Sequence, residues 1–294
     1  MVAEILGQLE QPPMVKAGEY KPRDEGPVPP DTHYHDGDFV EDISKLDLRK
    51  LYLVQQPADL ESYARLKAKT PARLGSGRAG PRYKTLTMLR FRADHAAAQD
   101  AVFSQLPEDF GEKNGMVSVK TRCVDKDMYL TRPDLGRTFD EENQAIIKKA
   151  VSHKPTVQIV VGDGLSSAAI AANAMDCMAA IRDGLKLKGI DTGKAIFVKF
   201  CRVGAGDAVG DVTGCDVVCV LVGERPGLVT DKSMSAYITY QPHTGVSESA
   251  RTVVSNIHAQ GTPAVEAGAH IADLIETILR RKASGVALLR EESR

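Results

Sequence analysis

The sequence contains no tryptophan, few other aromatic residues and no excess of charge of either sign. Aromatic residues make up 5% of the 294 residues, and 38 basic side chains balance 39 acidic ones, which gives a net charge of −1. Proteins that bind nucleic acid need a basic surface, so this balance predicts no nucleic-acid partner. The longest apolar run, around residues 217–222, is far shorter than the roughly 20 residues that cross a bilayer, so we expect no membrane segment.

Cysteine is also scarce, and its spacing excludes two further classes of protein. The five cysteines include no CxxC pair, which argues against a disulfide scaffold and against the usual zinc-binding motifs. The first residues, Met1–Glu4, lack a cationic segment, so we expect no secretory signal and a cytosolic location. His33 and His35 lie near several aspartates, but a proline-rich segment offers no scaffold to fix ligand geometry, and we predict no metal site.

Proline content and periodicity divide the chain into three parts. Residues 1–38 hold six of the fifteen prolines, which predicts a disordered arm without a core of its own. Residues 39–114 have helical periodicity, with helices expected over 57–69 and 85–106, and are interpreted as a small helical domain. Residues 115–294 alternate apolar β-branched runs with helical segments, which predicts an α/β domain whose parallel sheet is covered by helices on both faces.

Within the predicted α/β domain, glycine-containing loops follow three of the strands. The strands are expected at 157–161, 195–201 and 216–222, with a fourth at 236–240, and the helices at 166–188, at 207–213 and from 262 onward. The loops contain Gly162–Gly164, Gly204–Gly206 and Gly223–Gly227. Because the carboxyl ends of parallel strands meet at one edge of a sheet, we expect these loops to line a common crevice that binds a polar ligand.

No motif taken alone identifies a ligand or an active site. Residues Gly75–Gly80 match the dinucleotide pattern GxGxxG, but they follow a helical segment instead of a strand and are interpreted as a turn between helices. The loops at 162–164 and 204–206 have the right context but an incomplete pattern. Glu224 directly follows an apolar strand, so it is either half of a surface ion pair with Arg225 or an acceptor that projects into the crevice.

Six short motifs occur in an order that resembles a known enzyme family. They are Gly77–Pro81, Phe91–His95, Arg132–Arg137, Val161–Ser166, Val222–Leu228 and Ser255–His258. Over about residues 72–290 the chain resembles the small (light) subunit of ethanolamine ammonia-lyase. The resemblance implies a Rossmann-like C-terminal domain preceded by a small helical domain, in agreement with the organisation read from the residues.

The same resemblance implies a role in an adenosylcobalamin-dependent lyase. In that family the large subunit, a TIM barrel, holds ethanolamine, and a radical mechanism converts it to acetaldehyde and ammonia. The small subunit covers one side of the cobalamin, and the pairs assemble into a higher hetero-oligomer. We therefore expect the catalytic residues on the large subunit, and a cytoplasmic location inside a bacterial microcompartment, to which the N-terminal arm would direct the protein.

Carried over motif by motif, the resemblance implies cobalamin contacts at Arg202, Val203, Glu224 and Val253. The family pattern has cysteine where this chain has Val253, so a sulfur contact is impossible there, and the contact is made by the backbone or is lost. Two alternatives from other classes stay open. One is an NAD(P)-dependent oxidoreductase that uses the glycine loops at 162–164 or 204–206, and the other is an adaptor protein with a nucleotide-binding fold that no longer binds a nucleotide.

Overall fold

A computed structural model describes residues 42–292 of the chain, except residues 52, 55, 56 and 152. The predicted arm at 1–38, with its two histidines, lies outside the described residues. The described residues from Ile43 onward form one compact unit. The predicted boundary between a helical domain ending at residue 114 and an α/β domain stays a prediction. None of the helices in the described residues is long and apolar enough to cross a membrane.

Helices and strands alternate along the described chain. The helices are α1 (Leu60–Ala68), α2 (Thr85–Phe103), α3 (Phe110–Lys113), α4 (Lys126–Thr131), α5 (Glu141–Ala150), α6 (Ser167–Leu187), α7 (Ala205–Thr213), α8 (Ala264–Arg281) and α9 (Val286–Glu292). The strands are β1 (Arg78–Ala79), β2 (Arg82–Tyr83), β3 (Val117–Lys120), β4 (Val157–Asp163), β5 (Ile196–Lys199), β6 (Val217–Gly223), β7 (Met234–Tyr240) and β8 (Arg251–Ile257). The predicted long helices and the four predicted strands are present, with their ends shifted by a few residues. The sequence analysis missed β3, β8 and several short helices.

Six strands form a mixed sheet in the order β3-β5-β4-β6-β7-β8. The first four are parallel, whereas β7 and β8 run antiparallel to their neighbours. The prediction of a parallel sheet is therefore correct for the three predicted strands that became β4, β5 and β6, whereas the fourth predicted strand, near 236–240, runs antiparallel. The reason is the connection: residues 224–233 contain no helix, and a parallel crossover needs a longer link that usually includes one.

The two central strands of the sheet, β4 and β6, are buried along their whole length, as their continuous apolar sequences predict. Alternate side chains of β4 point to opposite faces of the sheet. Val157, Ile159 and Val161 pack with residues of α6 and α8, whereas Val160 packs with residues of α5 and α7. The predicted cover of helices on both faces is therefore confirmed, and α6 and α7, which follow β4 and β5, lie on opposite faces.

Two glycines allow α6 and α8 to pack closely. A Cβ atom on Gly268 would lie 2.6 Å from the Cys177 carbonyl oxygen and 2.6 Å from the Ala180 Cβ. A Cβ on Gly184 would lie 2.7 Å from the Ala272 Cβ. Since real Cβ atoms do not approach backbone oxygens so closely, any larger residue at 268 must push the helices apart.

We expect Gly268→Val to lower the free energy of unfolding by about 1–3 kcal/mol, the usual cost of overpacking a core. Valine has a higher helix propensity than glycine, so the loss cannot come from the helix itself. Gly227→Val is the matched control, because a Cβ there would meet nothing within 4 Å. Urea unfolding of both variants checks the expectation, and equal stability of the two would contradict the close helix contact.

Candidate functional site

The carboxyl ends of β5, β4 and β6 lie side by side at one edge of the sheet. Lys199 at the end of β5 pairs with Asp163 at the end of β4, and Gly162 pairs with Val222 near the end of β6. Because the helices that follow β4 and β5 leave on opposite faces, the loops after these strands diverge and leave a crevice between them. The expectation that the three glycine loops share one edge is confirmed.

A small cavity of about 140 Å³ occupies this edge. Its wall is formed by Leu165 after β4, residues 201–203 after β5 and residues 222–225 at the end of β6, together with side chains from α4 and β7. Three of the four residues predicted to contact a cofactor, Arg202, Val203 and Glu224, therefore line one cavity. Its volume is suited to a single small group rather than to a whole large ligand.

Glu224 projects from the end of β6, and hydrogen bonds fix its carboxylate. Its Oε1 accepts from the Ser235 hydroxyl at 2.6 Å and from the Asn256 backbone N–H at 2.9 Å. The Ser235 hydroxyl also lies 3.1 Å from that of Ser255. Within the described residues the carboxylate forms no ion pair with Arg225 or any other cation, and Oε2 has no partner. The arrangement is that of an oriented acceptor, the second of the two interpretations drawn from the sequence.

A bulge in β8 brings the Asn256 amide to Glu224. Between paired positions, β7 advances two residues, from Met234 to Ala236, while β8 advances three, from Val254 to Ile257. The extra residue falls where Asn256 adopts a left-handed conformation with φ of +63°. Asparagine tolerates this conformation better than most residues. The bulge therefore turns one backbone donor out of the strand ladder and toward the carboxylate.

Arg202 is held in place by Tyr129 of α4. Its guanidinium carbon lies 4.2 Å from the centre of the Tyr129 ring, and Nη2 donates to the Tyr129 carbonyl oxygen at 2.7 Å. The Tyr129 hydroxyl donates in turn to the Cys201 carbonyl oxygen at 3.1 Å, and burial raises the pKa of this hydroxyl. The buried Arg202 Nε has no hydrogen-bond partner in the described part of the chain. Arg202 therefore helps to fix the shape of the loop after β5 and leaves one donor unused.

A cluster of buried polar side chains holds the loop that follows β4. Asp163 accepts from the Ser167 hydroxyl at 2.6 Å and from the Leu106 N–H at 3.2 Å, while Lys126 donates to the Gly164 carbonyl oxygen at 2.7 Å. Burial raises the pKa of Asp163 and lowers that of Lys126. Since these groups bond to one another and to the backbone, the cluster holds the loop rather than binding a ligand.

The two valines among the predicted contacts, Val203 and Val253, differ in their position relative to the cavity. Val203 is half-buried in the cavity wall. Val253 is 45% exposed on β8, the edge strand, and does not line the cavity. It pairs directly with Tyr237 of β7, which does line the cavity, so its side chain lies on the same face of the sheet.

The glycine loops have little room for a dinucleotide. A Cβ on Gly164 would lie 2.7 Å from the Cys201 carbonyl oxygen, and one on Gly206 would lie 2.4 Å from a Val220 methyl group. These glycines are needed for packing within the chain, and the oxidoreductase alternative finds no support. The residues Gly75–Gly80 lead into and form part of a short β1–β2 hairpin between α1 and α2, which confirms the interpretation as a turn between helices.

Two kinds of reactive group, metal-binding clusters and thiols, bear on the chemistry of the described residues. The described residues include no cluster of three or more histidine, cysteine, aspartate or glutamate side chains suited to a metal ion. Burial raises the pKa of Cys201, the cysteine in the cavity wall, to about 12, so its thiol is a poor nucleophile. The partners Tyr129, Ser235 and Asn256 were missed by the sequence analysis, because no local pattern marks them.

Comparisons with known proteins agree with the resemblance read from the motifs. The family model "Ethanolamine ammonia-lyase light chain (EutC)" matches residues 60–289. A Clostridium perfringens protein named ethanolamine ammonia-lyase small subunit is 56% identical over 98% of this chain and 96% of its own length. Proteins of the same name from Clostridioides difficile and Listeria monocytogenes are 61% and 57% identical, each over 85% of both chains.

Proposed function

The chain belongs to the family of ethanolamine ammonia-lyase light chains, and from this premise we propose that it is the small subunit that helps to bind adenosylcobalamin against a large catalytic subunit. Its relatives carry the name small subunit, which implies a large-subunit partner and a lyase complex. We further propose a higher hetero-oligomer, a Rossmann-like cofactor domain and a location in a bacterial microcompartment.

The observation that carries the proposal is the convergence of Arg202, Val203 and Glu224 on one cavity at the carboxyl edge of the sheet. Ligands of open α/β sheets bind at this edge, where helices leave on opposite faces. The three residues come from loops after two different strands, so their meeting is a property of the fold and not of the local sequence.

The chemistry of the cavity suits the edge of a corrin ring. A corrin ring is rimmed with primary amides, which offer N–H donors and carbonyl acceptors. Glu224 Oε2 is an acceptor without a partner in the described residues, and Arg202 Nε is a donor without one. A cavity of about 140 Å³ holds one amide side chain, so most of the ring would lie outside this chain, against the large subunit.

When bound, adenosylcobalamin supplies the radical chemistry of the reaction. This chain's residues would bind and orient the cofactor: the Glu224 carboxylate would accept a hydrogen bond from an amide of the ring, and the half-buried side chain of Val203 would pack against that amide. Val253 lies on β8, the edge strand of the sheet among the described residues, so a contact from its backbone could replace the cysteine contact of the family pattern; otherwise that contact is lost. Catalysis would then fall to groups on the large subunit, as the resemblance to the family implies.

Assembly with a large subunit tests this function. We expect the purified complex to show corrinoid absorbance after incubation with adenosylcobalamin and to form acetaldehyde from ethanolamine. This chain alone is expected to give no acetaldehyde, because in the proposed arrangement the large subunit holds the substrate. Acetaldehyde formation by this chain alone would contradict the proposal, as would a large subunit that binds cobalamin equally well without it.

A further inference from the structure

A second, much larger cavity lies beside the first and shares Glu224 and Arg225 with it. Its volume is about 990 Å³, near the upper end of the roughly 300–1,000 Å³ that is usual for small-molecule sites. The wall is built from three segments, within residues 47–71, 224–233 and 256–260. The proposed cofactor role does not use this cavity beyond Glu224.

The cavity wall is basic, although the whole chain is nearly neutral. Five basic and two acidic side chains line it. Asp47 is paired with Arg49, whose side chain donates to it at 2.9 and 3.0 Å and lowers its pKa to about 2, so these two charges balance. Glu224 accepts only from the uncharged Ser235 and Asn256 groups and is the one acid in the wall without a counter-charge among the described residues.

Three of the basic side chains are available to a ligand. The side chains of Lys50, Lys69 and Arg225 are exposed and form no hydrogen bond or ion pair in the described residues. Lys67 differs, because it is buried and donates to the Leu74 carbonyl oxygen at 2.7 Å. The cavity therefore offers three unneutralised positive charges, which attract an anion with several charged oxygens.

A buried hydroxyl group in the same wall supplies an independent sign of a missing ligand. Ser233 is 8% exposed, and its Oγ has no hydrogen-bond partner in the described part of the chain. Buried hydroxyl groups are nearly always hydrogen-bonded, and one without a partner costs free energy. A ligand oxygen in the cavity would accept from it.

Apolar side chains complete the wall and indicate an organic body. Leu228 and Val229 are 44% and 61% exposed on one side, and Ala64 and Pro71 lie on the other. We propose that this cavity binds a phosphate-bearing small molecule, whose phosphate contacts the three cations and Ser233 and whose organic part lies on the apolar side chains. Lysine and arginine both bind phosphate well, and arginine can do so with two parallel hydrogen bonds.

Isothermal titration of the full chain with adenosine 5′-diphosphate, inorganic pyrophosphate and adenosine tests the site. We expect saturable binding of the diphosphate and none of adenosine. The double variant Lys50→Gln/Lys69→Gln should weaken diphosphate binding by about tenfold or more, and Ser233→Ala should weaken it several-fold. Tighter binding of the diphosphate than of pyrophosphate identifies an organic phosphate as the ligand, whereas equal binding identifies inorganic phosphates.

The matched control is Lys148→Gln/Lys149→Gln on α5, which removes two exposed lysines that do not line the cavity. It should bind the diphosphate like the parent chain. The proposal is overturned if the parent chain binds neither phosphate compound, or if both double variants weaken binding equally, because that result would mean a general effect of charge. The outcome is separate from that of the proposed function, since neither Lys50 nor Lys69 lines the smaller cavity.

Discussion

Replacing Arg251 by methionine is expected to lower the free energy of unfolding by about 3–5 kcal/mol. The Arg251 and Asp207 side chains are 3% and 7% exposed, and two parallel hydrogen bonds of 2.8 and 2.7 Å join them. Methionine fills a similar volume but leaves the Asp207 carboxylate buried without a counter-charge. The ion pair raises the pKa of Arg251, so the guanidinium stays charged at any pH at which the protein folds.

The Arg251 side chain connects three elements of the structure. It starts on β8, bonds to Asp207 on α7, and donates to the Thr239 hydroxyl on β7 at 3.2 Å. Loss of the guanidinium therefore loosens the edge strand that carries the Asn256 amide of the site. We expect the variant to bind cobalamin more weakly in the assembled enzyme as well as to unfold more readily.

Urea unfolding of the full chain measures the first effect. Lys154→Met is the control, because the Lys154–Asp216 pair has a 2.7 Å contact but side-chain exposures of 60% and 41%. Its loss should cost less than about 1 kcal/mol. The double variant Arg251→Met/Asp207→Leu should regain much of the lost stability, since it removes both charges. An Arg251→Met protein as stable as the control would show that the buried pair contributes nothing.

Glu224→Ala is expected to weaken adenosylcobalamin binding by the assembled enzyme by about 10- to 150-fold. That range corresponds to the roughly 1.5–3 kcal/mol of one hydrogen bond to a charged group. The effect on the Michaelis constant for ethanolamine should be smaller, since the substrate does not contact Glu224 in the proposed arrangement. Ser235 keeps its contact with Ser255, so the substitution leaves no buried hydroxyl without a partner.

Two further variants make this result specific. Glu224→Gln keeps an acceptor but loses the charge, so its affinity should fall between those of the parent and the alanine variant. Glu266→Ala removes an exposed carboxylate on α8 and should leave cobalamin affinity unchanged. Titration of the complex by corrinoid absorbance gives the affinities. Cobalamin binding by Glu224→Ala at the parent's affinity would mean that Glu224 is not a cofactor ligand.

Much of the fold could be predicted because burial on both faces leaves a clear pattern. The strands β4 and β6 are continuous apolar runs, and the helix α6 between β4 and β5 begins at a serine cap and is rich in alanine. By contrast, β3 has four residues, and β8 reads RTVVSNI, with polar residues on an exposed edge strand. Neither β3 nor β8 has the apolar run by which strands are recognised in a sequence. The direction of β7 could not be predicted from its composition, because it depends on the length of the connection from β6.

The candidate site, like the fold, could be predicted only in part. Glu224 could be predicted as a projecting acceptor because it directly follows a buried strand. The groups that orient it come from β7, which pairs with β6, and from β8, which pairs with β7 and lies about thirty residues further along the chain. A bulge in an exposed strand leaves no pattern in its residues, so the Asn256 amide could be found only from the structure.

The position of the Asn256 bulge late in the sequence determines when the site can form during synthesis of the protein. Glu224 leaves the ribosome more than thirty residues before the amide that orients it, and Tyr129, which holds Arg202, leaves more than a hundred residues before that amide. A nascent chain that ends within β7 already contains Arg202, Val203 and Glu224 but lacks one of the two donors that fix the carboxylate. Synthesis must therefore pass residue 256 before the site reaches its final geometry.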